Sequence, residues 1–122
     1  MNIALWIVAV LTALTFAAAG TRKLTQPKDK LQPQMGFVED FSPAAIRLIG
    51  ATEVLGALGL ILPAVTGIAP VLVPLAAAGL AVVMVLASVV HLRRGEPKAL
   101  PANIVLFLLA AFVAVGRFVF PL

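Results

Sequence analysis

The sequence has no cysteine, no tyrosine, one histidine and one tryptophan, and Asp, Glu, Lys and Arg make up only 11% of its 122 residues. Without cysteine there is no disulfide, thiol–disulfide catalysis, iron–sulfur ligation or thiolate zinc site. A lone histidine excludes a multi-histidine metal centre. The scarcity of charge excludes more. A soluble domain carries about 25% charged and about 45–50% apolar residues, and a small one has a large surface to cover. Here hydrophobic residues reach 62%. An ordinary soluble domain, a disordered chain and a nucleic-acid-binding module are excluded, and the solvent of this fold is lipid.

What is present is a series of four apolar segments. A membrane-spanning helix needs about 20 mostly apolar residues. Spans are expected at about 3–20, 43–62, 71–92 and 102–120, joined into a single transmembrane domain covering 1–122, with a long loop at 21–42. The first run ends at Thr21-Arg22-Lys23. Ser42 suits a helix N-cap, and Pro43 the first helical position, where its missing N–H is not needed. Pro63 to Pro70 is a short uncharged turn, so the second and third spans form a tight hairpin. The long loop interleaves Met35, Phe37, Val38 and Phe41 with charges, which suggests that it lies on the membrane surface. Ala17-Ala18-Ala19 looks like a signal-peptide cleavage site. No Lys or Arg precedes the apolar run, however, and Arg22 and Lys23 follow it directly, so an uncleaved helix is expected.

Seven of the nine basic residues lie in the first and third connections, which four spans place on one side. The positive-inside rule then puts both connections in the cytoplasm. The expectation is a multi-pass protein of the inner (cytoplasmic) membrane with both termini extracytoplasmic.

Helix association in lipid depends on small residues and interhelical hydrogen bonds. One face of each span carries them at helical spacing. The faces are Ala9, Ala13, Ala17, Gly20 and Lys23; Gly50, Glu53, Gly56 and Ala57; Ala77, Ala81, Met84, Ser88 and His91; and Asn103, Phe107, Ala110, Ala114 and Arg117. The fold class is therefore all-α: an integral membrane antiparallel four-helix bundle, its interior lined by Ala and Gly with a polar thread and its opposite faces largely Val, Leu, Ile and Phe, suited to lipid.

Glu53 is ten residues past Pro43, about 15 Å into the span at 1.5 Å per residue. An ionised side chain near the midplane costs at least about 2.5–3.5 kcal/mol, so Glu53 faces the bundle, protonated or paired. Arg117, on the inner face of the last span and tilted toward the midplane, is the expected partner. Lys23, Arg47, His91 and Asn103 fall near the cytoplasmic leaflet and form an expected polar cluster below Glu53. These six residues are the candidate binding positions. No catalytic set and no metal site emerges.

Ala19-Gly20-Thr21-Arg22-Lys23-Leu24, Ile49-Gly50-Ala51-Thr52-Glu53-Val54-Leu55-Gly56, Asn103 and Gly116 together resemble the DoxX-like family of small four-helix membrane proteins. The resemblance covers nearly the whole chain, through short, degenerate motifs. It implies association with membrane redox systems, among them a quinone-linked thiosulfate oxidoreductase, or an assembly role. It marks Gly20, Lys23, Glu53 and Asn103 as positions of interest without assigning them chemistry. The chain lacks the cysteines of disulfide-forming quinone reductases of similar size.

Three functions compete. The first is an accessory or lipophile-binding subunit of a membrane redox system, with a quinone, isoprenoid or lipid as ligand. A quinone is then the cofactor to expect, and membrane or redox subunits, the lipid bilayer or a second copy are the partners. The second is a proton-coupled small transporter using Glu53. The known carriers of that size hold their acid in the first helix, which here has none. The third is an enzyme on a lipophilic substrate with Glu53 as acid or base, for which no second catalytic residue is evident. The first reading is preferred.

Overall fold

A computed structural model describes residues 1–31 and 41–122. Among them the elements are α1 (Asn2–Thr25), the short α2 (Lys28–Leu31), α3 (Pro43–Thr66), α4 (Leu72–Arg93), a 3-10 turn at Pro97–Ala99 and α5 (Leu100–Val119). Four helices are long and apolar enough to cross a membrane. The fold is an all-α membrane four-helix bundle. Its helices form a ring in which α1 packs on α3, α3 on α4, α4 on α5 and α5 back on α1.

Local sequence sets most of the helix ends. The Ser42 hydroxyl accepts the Ala45 N–H at 3.1 Å and Pro43 opens α3. Gly67 closes α3 in the left-handed conformation, φ 72°, where a side chain would be strained. Two ends differ from the sequence-based expectation. α1 continues past Gly20 to Thr25, because Lys23 is buried against another helix rather than marking the water boundary. α3 continues through Pro63 to Thr66. Proline removes one backbone donor, and membrane helices tolerate this.

The inward faces are largely those expected. Ala9, Ala13, Gly20, Lys23, Gly50, Glu53, Ala57, Ala77, Ala81, Met84, Ala110, Ala114 and Arg117 are all buried. The interior is not only Ala and Gly, however. Leu5, Thr12, Phe16, Leu60, Val73, Leu80 and Val113 are completely or almost completely buried and fill the space between the small residues. Phe16 is thus a core residue and not a lipid-facing one.

Glycines fix the register between helices. A methyl group on Gly20 would sit 2.6 Å from the Gly50 carbonyl oxygen, and one on Gly50 would sit 2.7 Å from the Gly20 oxygen. α1 and α3 therefore cross with their backbones nearly touching. Gly56 packs on Leu80, Gly59 on Ala76, and Gly116 on Leu5. The end of the bundle where α1 stops, α3 starts and α4 turns into α5 is called the loop end below.

Phe41 packs on Leu31 and Ile46, which are buried, so this part of the connection docks on the bundle itself. Met35, Phe37 and Val38, expected on the membrane surface, lie outside the described residues.

Candidate functional site

The α1–α3 crossing has a reciprocal pattern. α1 carries Gly20-Thr21-Arg22-Lys23 and α3 carries Gly50-Ala51-Thr52-Glu53. Because the helices are antiparallel, Gly50 lies opposite Lys23 and Gly20 opposite Glu53: a methyl group on Gly50 would sit 2.8 Å from the Lys23 Cβ, and one on Gly20 would sit 3.1 Å from the Glu53 Cβ. Each glycine makes room for the charged residue of the other helix. Helical side chains lean toward their own N-terminus, so Lys23 leans into the bundle, Glu53 leans toward the loop end, and the two converge. Lys23 Nζ and Glu53 Oε1 form a buried ion pair. With the seam closed to water, neither charge has solvent to turn to, and each needs the other.

The Glu53–Arg117 pair expected from the sequence is not formed. Arg117 is buried at the other end of the bundle and donates to the Phe120 carbonyl oxygen at 3.4 Å. The register explains this. Gly116 lies against Leu5 and Glu53 against Gly20, and fifteen residues of α1 separate those levels, roughly 22 Å at 1.5 Å per residue. Counting along each helix separately concealed that distance. It also placed Glu53 deeper than the neighbouring helix does. Glu53 lies level with Gly20, only about 7 Å from the end of α1 at Thr25.

The remaining candidates separate by the same register. Asn103, thirteen residues before Gly116, is level with Ala18 on α1. It therefore shares the depth of Glu53 and Gly20 to within about 3 Å. Its Nδ2 is buried and has no hydrogen-bond partner among the described residues. Arg47 is exposed on α3, level with Gln26, and points away from the pair. His91 lies roughly 13 Å nearer the loop end than Glu53, in a separate cluster. There Glu96 Oε1 accepts from Arg94 Nε at 3.1 Å and lies 3.2 Å from His91 Nδ1. Glu96 was not singled out from the sequence. The hydrogen bond from Arg94, followed by that with His91, holds its carboxyl below the ordinary glutamate value. The single expected cluster is thus three separate places; Glu53 and Asn103 share one depth, and Lys23 reaches Glu53 from about a turn nearer the loop end.

A shallow groove of about 360 Å³ runs outside α3 and α4, over Gly56, Gly59, Ala76 and Gly79. Thr52 is its one polar side chain, and that hydroxyl is donated to the Leu48 carbonyl at 2.9 Å. Such a groove offers van der Waals contact to an alkyl chain and no chemistry. No group of three or more His, Asp or Glu able to hold a metal occurs among the described residues.

The sequence pattern of the DoxX-like family matches residues 7–113. The chain belongs to the DoxX-like family. The match runs from the middle of the first turns of α1 to Val113 of α5 and so takes in Gly20, Lys23, Gly50, Glu53 and Asn103 of this DoxX-like protein. No curated protein and no solved structure matches the chain. For a DoxX-like chain, the ion-paired crossing of α1 and α3 gives the family resemblance read from those two segments a physical basis: the glycines allow the approach, and the charges occupy the space it leaves.

Proposed function

We propose that this DoxX-like protein is a membrane accessory protein that holds the polar head of a lipophile, a quinone, isoprenoid or lipid, inside the loop end of its bundle. The observation that carries the reading is the buried Asn103 Nδ2 without an acceptor. A buried amide donor left unpaired costs about 1–3 kcal/mol. A ligand oxygen would offset that cost, and a quinone or ester carbonyl supplies one. The Lys23–Glu53 pair leaves no net charge at this level of the bundle, which suits a neutral head with an apolar tail. Work alongside membrane redox subunits is supported by the family resemblance. The positive-inside rule supports a cytoplasmic loop end and extracytoplasmic termini in an inner membrane. The ion pair weighs against transport and against acid–base catalysis, since the buried carboxylate is already engaged by Lys23.

The test is extraction and mass spectrometry of lipophiles from protein purified in mild detergent. The wild type should carry a stoichiometric carbonyl-bearing lipophile, and Asn103→Leu should lose most of it while melting at the same temperature or higher. A wild type with no bound lipophile, or an Asn103→Leu protein that keeps it, would overturn the reading.

A further inference from the structure

Exposed side-chain charge among the described residues is confined to one end. Among the described residues, every Lys, Arg, Asp and Glu outside the bundle interior lies at the loop end, and the charged side chain at the other end, Arg117, is buried. The acids there are already engaged. Glu53 is inside, paired with Lys23; Glu96 is held by Arg94 and His91; Asp29 Oδ1 accepts the Lys30 N–H of its own turn at 3.1 Å. Glu39 and Asp40 lie outside the described residues. Among the residues whose side chains are described, four cations are exposed, on four different segments: Lys30 on α2, Arg47 on α3, Arg93 ending α4 and Lys98 in the 3-10 turn.

Their surroundings decide what they meet. Arg47 is followed by Leu48, 70% exposed, and Arg93 is preceded by Leu92, 60% exposed. Arg47 is also level with the point where α1 gives way to the polar connection, and Arg93 is about a turn and a half beyond it. An acidic soluble protein covering these cations would leave the leucines beside them in water. A bilayer boundary satisfies both, with leucines in the acyl layer and guanidinium groups among phosphates, toward which long basic side chains extend.

We infer that the loop end is an anionic-phospholipid binding rim, in which Arg47, Arg93 and Lys98 take the phosphodiester headgroups of the adjoining leaflet. Basic side chains at a membrane surface attract anionic lipid and lose that attraction as salt rises. The rim is distinct from the interior Asn103 site and does not depend on it.

The experiment is native mass spectrometry of the chain after reconstitution in equal parts phosphatidylglycerol and phosphatidylcholine of matched acyl chains. The wild type should retain phosphatidylglycerol preferentially. Arg47→Gln/Arg93→Gln/Lys98→Gln should reduce that preference about tenfold with unchanged helical circular dichroism. Arg47→Lys should keep it, and raised salt should weaken it in the wild type. Equal retention of the two lipids by the wild type, or an unchanged preference in the triple variant, would overturn the proposal. If the triple variant does not fold, the single Arg47→Gln and Arg93→Gln proteins decide: each should show a partial loss, and no loss in either would overturn it.

Discussion

Glu53→Gln is expected to lower the stability of the purified protein by about 3–5 kcal/mol, because it breaks a buried ion pair by removing one of its two charges. The lysine has no easy escape, since its Cβ is held against Gly50. Adding Lys23→Met to Glu53→Gln should restore most of the loss, because removing both members of a buried pair is often nearly neutral. Adding Arg117→Gln instead should restore nothing, since Arg117 bonds the Phe120 carbonyl at the other end of the bundle. Denaturant unfolding in a fixed micelle, read by circular dichroism, checks all three. A rescue by Arg117→Gln, or a Glu53→Gln protein as stable as the wild type, contradicts the assigned pairing.

The second large effect is expected at Gly50. Any side chain there meets backbone on the facing helix: the Gly20 oxygen at 2.7 Å and the Leu24 nitrogen at 3.2 Å. Backbone cannot turn aside as a flexible side chain can. Gly50→Leu must push α1 from α3, adding an overpacking cost of about 1–3 kcal/mol or more and pulling Lys23 away from Glu53. The folded yield should collapse. Gly79→Leu is the control. A methyl group at Gly79 meets nothing within 4 Å, so that protein should express and melt like the wild type. Equal tolerance at both positions would mean that the α1–α3 crossing does not depend on backbone contact.

These two experiments bear on the part of the structure that was easiest and hardest to read from sequence. The inward faces were legible, because small residues at helical spacing leave a continuous stripe and lipid-facing residues do not. Glu53 was legible as a buried acid, protonated or paired. Its partner was not. Rise per residue gives depth within one helix, but register between helices comes from side-chain contacts, and here from glycine. The signal was nevertheless present: glycine three residues before a charge occurs in α1 and again in α3, with opposite signs. Two such segments running antiparallel bring each charge over the other's glycine.

Other features had weaker signals. Phe16 lies off the stripe of small residues in α1, so spacing alone does not mark it as core, yet a ring that size fills the space beside Ala9 and Ala13. Glu96 was passed over because its bonds to His91 and Arg94 exist only once the chain has turned at the end of α4. Asn103 is expected below Glu53 from its place at the start of the last span, whereas the register between helices sets it level with Glu53. That its amide would be buried without an acceptor depends on the neighbours around it, which no spacing along a single helix reveals.

The pairing of Lys23 with Glu53 is the claim on which the rest stands, and it can be observed directly. Solid-state NMR on the protein in lipid, with ¹⁵N-lysine, ¹⁵N-arginine and ¹³C-glutamate labels, reads nitrogen-to-carboxyl proximity inside the bundle. The account predicts strong short-range transfer between the Lys23 Nζ and the Glu53 carboxyl carbon, a signal that disappears in Lys23→Met, and none between Arg117 and Glu53. Transfer from the Arg117 guanidinium to Glu53, or a Glu53 carboxyl with no lysine nitrogen near it, would contradict it.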